Sequence, residues 1–178
     1  YTGIGSILDN KYHIVHKIAQ GGMGVVYGAV HTTLGKKVAI KVLAPGTLSD
    51  KDMHKRFMRE AKASILLASP HTVRLFDYNV TPWREPYLVM EYVSGLNLRQ
   101  AIRKEGAFDL ERAVHITKQI AQSLMEAHEN DLIHRDLKPS NVMLMDIKGH
   151  DNFVKLFDFG VVKFAKTSDD GDLTRQGT

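Results

Sequence analysis

The chain has 178 residues, 43% hydrophobic and 25% charged, a balance that excludes disorder and collagen-like repeats and fits one compact core or two small lobes. Lys and Arg outnumber Asp and Glu by 24 to 20, but the charges are mixed along the chain, which argues against a nucleic-acid partner. The absence of cysteine excludes disulfides, thiolate metal sites and a cysteine nucleophile, and no apolar run approaches the roughly 20 residues needed to cross a bilayer.

Tyr12 to Ala19, Gly24 to Val30 and Lys37 to Leu43 are rich in Val, Ile and Tyr and read as the strands of an antiparallel meander. From Ser49 to Ala68 the spacing becomes helical, with Met53, Phe57, Ala61, Ser64, Ile65 and Ala68 on one face, an N-cap at Ser49 or Asp50 and a stop at Pro70. Strands at Val73 to Tyr78 and Tyr87 to Val93 complete a small sheet carrying one helix, so residues 1–93 read as a first lobe. Residues 94–97 form a short boundary, and 98–178 read as the start of a second, mainly helical lobe. Its main feature is a long helix capped by Asp109, for which Leu110, Ala113, Val114, Thr117, Ile120, Ala121, Leu124, Met125 and His128 are the expected stripe. Val142 to Met145 and Val154 to Phe157 suggest a hairpin, and Lys166 to Thr178 a polar loop. This is an α+β, two-lobed architecture, and the crevice between lobes is the default ligand site.

The turn between the first two strands, Ala19-Gln20-Gly21-Gly22-Met23-Gly24, lets backbone N–H groups approach phosphate oxygens, although such a turn also serves merely to reverse a chain. It lacks the Gly-Lys-Ser/Thr ending of a P-loop and does not open a helix as a dinucleotide fingerprint would. Glu60 lies on the apolar stripe of its helix, and an acid facing a core needs a cation. Lys41 is the nearest candidate in that lobe, with a solvent-facing Glu60 as the alternative. The strongest signal is His134-Arg135-Asp136-Leu137-Lys138-Pro139-Ser140-Asn141, followed 22 residues after Asp136 by Asp158-Phe159-Gly160. The set offers one carboxylate able to accept a hydroxyl proton, a lysine beside it, and Asn and Asp oxygens suited to Mg²⁺. For His134 no metal spacing is present, and it reads as a packed core residue.

With these motifs in this order the chain resembles the eukaryotic-type protein kinases, and Gly21-Gly22-Met23-Gly24 and Arg59-Glu60-Ala61 resemble their bacterial Ser/Thr branch. Ala19 stands where the family places its first glycine, which implies a stiffer loop rather than an inactive one. The resemblance implies that the backbone of Gly21 to Gly24 covers the ATP phosphates, with Ala19, Gln20, Gly22 and Met23 in the same nucleotide-binding loop, that Lys41 holds the α- and β-phosphates and pairs with Glu60, and that Asp136 is the base. It further implies that Lys138 steadies the γ-phosphate and that Asn141 and Asp158 hold Mg²⁺ (or Mn²⁺). Adenine is expected between Val26 and Ala39 above and Met143 below, against the backbone of Glu91 to Val93, with Met90 at the back and Asn97 near the ribose. Arg135 is expected to receive a phosphate on the loop, with Thr174 and Thr178 as the favoured phosphosites and Thr167 and Ser168 also available.

An active Ser/Thr protein kinase acting on protein hydroxyls leads a pseudokinase-like nucleotide-binding scaffold and a small-molecule phosphotransferase, because no residue with a direct role in transfer is missing. The family normally continues through an Ala-Pro-Glu motif and further helices, so a longer protein, a second copy or a partner is expected to complete the second lobe. A cytoplasmic location is expected, including as the cytosolic part of a membrane-anchored protein.

Overall fold

A computed structural model describes residues 2–159 apart from 23, 45–50, 82 and 148. Strands β1 (Ile7–Leu8), β2 (Tyr12–Gly21), β3 (Gly24–His31) and β4 (Lys37–Leu43) follow one another in an antiparallel sheet. Helix α1 (Lys51–Ile65) comes next, and β5 (Leu75–Val80) and β6 (Pro86–Glu91) complete the sheet in the order β1-β2-β3-β4-β6-β5. Strand β4 shows why the alternation matters. Val38, Ile40 and Val42 pack with Tyr12, Ile14 and Tyr87 on one face, while Ala39 and Leu43 meet Phe57 and Ala61 of α1 on the other. Lys41 shares that second face and is thereby aimed inward.

Beyond the boundary, the two-residue β7 (Leu96–Asn97) leads into α2 (Leu98–Glu105), and then come α3 (Leu110–Glu129) and the hairpin β8 (Val142–Ile147) and β9 (His150–Leu156). Asp109 caps α3 as expected, its Oδ1 accepting from Arg112 N at 2.8 Å. The fully buried residues of α3, however, are Ile116, Gln119, Ser123 and Ala127, and of the stripe expected from its spacing Ile120 and Leu124 pack half-buried against the same core. Leu110, Val114 and Met125 are exposed. Apolar residues line both sides of this helix, and the hairpin decides which side is covered. Gln119 is buried because it serves the hairpin edge, accepting from Val154 N at 2.9 Å and donating to Asn152 O at 3.0 Å.

The segment after α1 stitches the sheet to the helices. Val73 N donates to Leu156 O at 3.0 Å and Leu156 N to His71 O at 2.8 Å, while the Glu126 carboxylate of α3 accepts from Ala68 N and Ser69 N at 2.6 and 2.8 Å. A cleft of about 550 Å³ opens between the sheet and the β8–β9 hairpin.

Candidate active site

The Gly-rich hairpin separates two kinds of glycine. A Cβ on Gly24 would lie 2.0 Å from Val42 O and 2.9 Å from Leu43 Cα, and its φ of +136° is one that L side chains rarely adopt. A Cβ on Gly21 or Gly22 would meet nothing within 4 Å. Gly24 is therefore required by the fold, whereas the other two leave open space of the kind a phosphate group would use. Gly24→Ala is expected to destabilise the protein by at least about 2 kcal/mol in urea unfolding, and Gly21→Ala to leave stability unchanged while weakening nucleotide binding. Ala19 sits in strand β2 opposite Val26, extended backbone that an alanine adopts without strain. Met23 lies outside the described residues.

Lys41 and Glu60 are both buried, at 7% exposure each, but the expected pair between them is not formed. Lys41 Nζ instead donates to Asp158 Oδ1 at 2.7 Å, and Glu60 Oε1 accepts from Arg135 Nη1 at 3.2 Å. Glu60 Oε2 has no hydrogen-bond partner among the described residues. The inference that a buried Glu60 needs a cation holds; its partner is Arg135, which reaches it from a backbone with φ of +57°. Burial pushes the Glu60 carboxyl above the usual carboxylate range, with Arg135 and Arg59 pulling the other way.

The segment 134–141 is built around His134. Its Nδ1 accepts from Asp136 N at 3.2 Å, so the proton sits on Nε2, which donates to Phe157 O at 2.7 Å. One imidazole thus ties the loop carrying Asp136 to the strand end carrying Asp158, with Phe159 packed 4.9 Å from its ring. Burial holds the His134 pKa below the ordinary imidazole value. The contribution of a neutral buried His134 to stability is present above about pH 6.5 and is lost as pH falls through its depressed folded-state pKa. Thermal unfolding between pH 7.5 and 5 is expected to show this loss, and His134→Phe to flatten it.

Asp136 Oδ2 accepts from Lys138 Nζ at 2.7 Å and from Asn141 Nδ2 at 3.3 Å, and the same amide donates to Asp136 O at 2.9 Å. Asn141 is placed by a short 3-10 helix, Pro139–Asn141, whose proline presets the turn, and its carbonyl accepts from Phe157 N at 2.9 Å. Asn141 and Asp158 both line the cleft, and their side-chain oxygens are the hard donor chemistry that suits Mg²⁺.

The structure brings Val26, Ala39, Met90, Val93 and Met143 together along the cleft with Lys41, Asn141 and Asp158. Glu91 does not send its side chain there. That carboxylate turns away to meet Lys155 Nζ at 2.8 Å, leaving only the Glu91 backbone for a ligand. Asn97 lines the cleft but also caps α2, its Oδ1 accepting from Gln100 N at 2.9 Å while Gln100 Oε1 accepts from Asn97 N. Ile18, Ser140 and Phe157 are further cleft residues that the sequence did not point to, and Tyr92 lines the cleft within the expected segment Glu91 to Val93. The position of Phe157, immediately before Asp158, was the signal available for it. Thr167, Ser168, Thr174 and Thr178 lie outside the described residues.

Residues 12–178 match the protein kinase domain model. The chain belongs to the protein kinase family. Among curated kinases, "Serine/threonine-protein kinase pkn3" of Myxococcus xanthus is 38% identical over 175 residues, and PknA of Mycobacterium tuberculosis is 35% identical over 178. Each alignment covers 98% of this chain but only 32% and 40% of those kinases. Among solved structures, the Mycobacterium tuberculosis PknI kinase domain superposes with a TM-score of 0.77 at 28% identity, covering 90% of this chain and 63% of that one. Rad53 residues 1–466 in complex with AMP-PNP gives a TM-score of 0.73 at 29% identity, covering 85% and 38%. Among the described residues, no helix is long and apolar enough to cross a membrane.

Proposed function

We propose that this chain is the ATP-binding and phosphoryl-transfer part of a serine/threonine protein kinase. The observation that carries this reading is that Lys41, Asn141 and Asp158 line one cleft, with Lys41 paired to Asp158 and with Asp136 held to Asn141 and Lys138 by hydrogen bonds at its edge. In the reaction, a substrate hydroxyl oxygen forms a bond to the γ-phosphorus of ATP, the bridging bond to the β-phosphate breaks, and ADP leaves. Asp136 accepts the hydroxyl proton. Its Oδ2 lies within reach of Lys138 Nζ, which balances its charge beforehand and is the cation available to the transferring phosphoryl oxygens. Lys41 takes the α- and β-phosphates, exchanging its present contact with Asp158 for them, and the backbone of Gly21, Gly22 and Gly24 covers the phosphates. Asn141 and Asp158 would hold Mg²⁺ or Mn²⁺, which neutralises charge on the phosphates when bound.

Adenine fits between Val26 and Ala39 on one side and Met143 on the other, with the backbone of Glu91 to Val93 as its polar edge and Met90 closing the back. Asn97 and Ser140 are polar residues of the cleft available to the ribose. Lys138 beside the base favours serine and threonine hydroxyls of protein substrates, as the resemblance implies. Thr174 and Thr178 are the proposed phosphosites on the same chain, and the cytoplasm is the compartment that supplies ATP. Intact-mass spectrometry of the full-length protein after incubation with ATP and Mg²⁺ tests the reading. Steps of one phosphate mapping to Thr174 or Thr178 support it, and no phosphate on the chain or on a protein substrate while ATP still binds overturns it in favour of a nucleotide-binding scaffold.

A further inference from the structure

Between strand β5 and the β8–β9 hairpin lies another groove, of about 470 Å³. Its floor is apolar and its rim cationic. Phe76 and Ile147 are 37% and 39% exposed in it, and Lys36, Lys37 and Arg74 stand around them. Lys155 lies deeper, but its charge is already matched by Glu91 at 2.8 Å, so the three rim cations carry the groove's field.

Two irregularities of the sheets create this surface. Strand β5 is the outer strand of the upper sheet, and its pairing with β6 steps from Leu75 opposite Met90 to Asp77 opposite Val89, leaving Phe76 as the extra residue of a bulge. The β8–β9 pairing breaks register between Met145 and Ile147, with Asn152 opposite in the left-handed region at φ of +54°. Bulges turn side chains out of the regular alternation, and here one presents Phe76 and the other flanks Ile147 on facing walls of one groove. Lys36 Nζ lies 4.2 Å from the Phe76 ring centroid, so the aromatic floor and the cationic rim are already in contact. Glu91, the acid of the lining, is matched by Lys155, and an apolar patch whose remaining rim charges all carry one sign marks a binding surface rather than ordinary solvated exterior.

We infer that this groove docks an acidic segment of a partner protein, with one or two apolar side chains seated on Phe76 and Ile147 and flanking carboxylates on Lys36, Lys37 and Arg74. The occupant follows from charge and shape together: carboxylates alone would leave the apolar floor wet, and an apolar segment alone would leave three cations unmatched. None of these five side chains belongs to the nucleotide site, so docking is separable from phosphoryl transfer.

A fluorescein-labelled peptide, Glu-Asp-Asp-Leu-Phe-Asp-Asp-Glu, titrated with the full-length protein at low salt is expected to show a saturable rise in anisotropy. Binding should weaken about tenfold when Leu-Phe is replaced by Ser-Ser and about tenfold in the Lys37→Glu/Arg74→Glu protein, whose basal activity on a generic substrate stays unchanged. No binding at roughly millimolar protein, equal binding by the double variant, or equal binding of the Ser-Ser peptide overturns the proposal. A concentration-dependent dimer in sedimentation velocity that the double variant abolishes also overturns it, since the groove would then serve a second copy of the chain.

Discussion

Replacing Asp136 by Asn is expected to lower phosphoryl transfer by about 10²–10⁴-fold while leaving ATP affinity within a few-fold of the parent. The amide keeps the size of the carboxylate and can still meet Asn141, but it accepts no proton at neutral pH and no longer balances Lys138, 2.7 Å away. The cleft wall of Val26, Ala39, Met90 and Met143, where the nucleotide is proposed to bind, is untouched, so binding and chemistry are expected to separate. Single-turnover phosphorylation combined with a calorimetric ATP titration distinguishes the two. A variant that loses ATP binding in parallel would show that Asp136 acts on the architecture of the loop rather than on the proton.

Glu60→Gln is expected to move stability and activity in opposite directions. The Glu60 carboxylate is buried, one oxygen is held by Arg135, and the other has no partner among the described residues. Ser64 Oγ, one turn along the same face of α1, is a second such buried polar atom, and it borders a small cavity of about 40 Å³ behind Met90. An unmatched buried acceptor costs about 1–3 kcal/mol, more when charged, so the neutral amide is expected to stabilise the protein by about 1 kcal/mol at pH 7. The sign with pH follows from the raised folded-state pKa of Glu60. Its protonated form is favoured in the folded protein, so the parent regains stability as pH falls, and the advantage of Gln disappears below about pH 4.5. Guanidinium unfolding at pH 4 and pH 7 reads this out. Activity is expected to fall about 10²-fold, because the arrangement of Lys41 that family resemblance implies uses Glu60 as its anchor. Equal stability of parent and variant at both pH values would show that Glu60 is adequately solvated where it stands.

These two residues also mark where reading the sequence succeeds and where it stops. The strand Lys37–Leu43 and the cap of the long helix were legible because both are local. Strict alternation of side chains between two faces sets the strand, and a side chain three residues from its N–H partner sets the cap. The order of His134-Arg135-Asp136, Asn141 and Asp158-Phe159 was legible for a different reason: a chemical set so specific at such spacing leaves few folds to hold it.

The partner of Glu60 was not legible, although the need for one was. Arg135 is 75 residues away in sequence and Lys41 meets Asp158 across 117, and which cation reaches which acid depends on the seat of α1 against the helical half. The buried face of α3 was read only in part: Ile120 and Leu124 reach the core as expected, but apolar residues occur on both sides of the helix, and the docked hairpin selects Ile116, Gln119 and Ser123 over Leu110, Val114 and Met125. The three glycines looked alike in the chain. Contact with Val42 and Leu43 makes one of them structural and leaves the other two open to a ligand.

By itself, then, the sequence determined the family, the order of the elements and the chemical types in the cleft, since these rest on local periodicity and motif spacing. Tertiary structure alone decided the ion-pair partners, the covered helix face and the groove beside β5. Each of these depends on distances between segments far apart in the chain, and such distances are fixed by packing rather than by any local pattern.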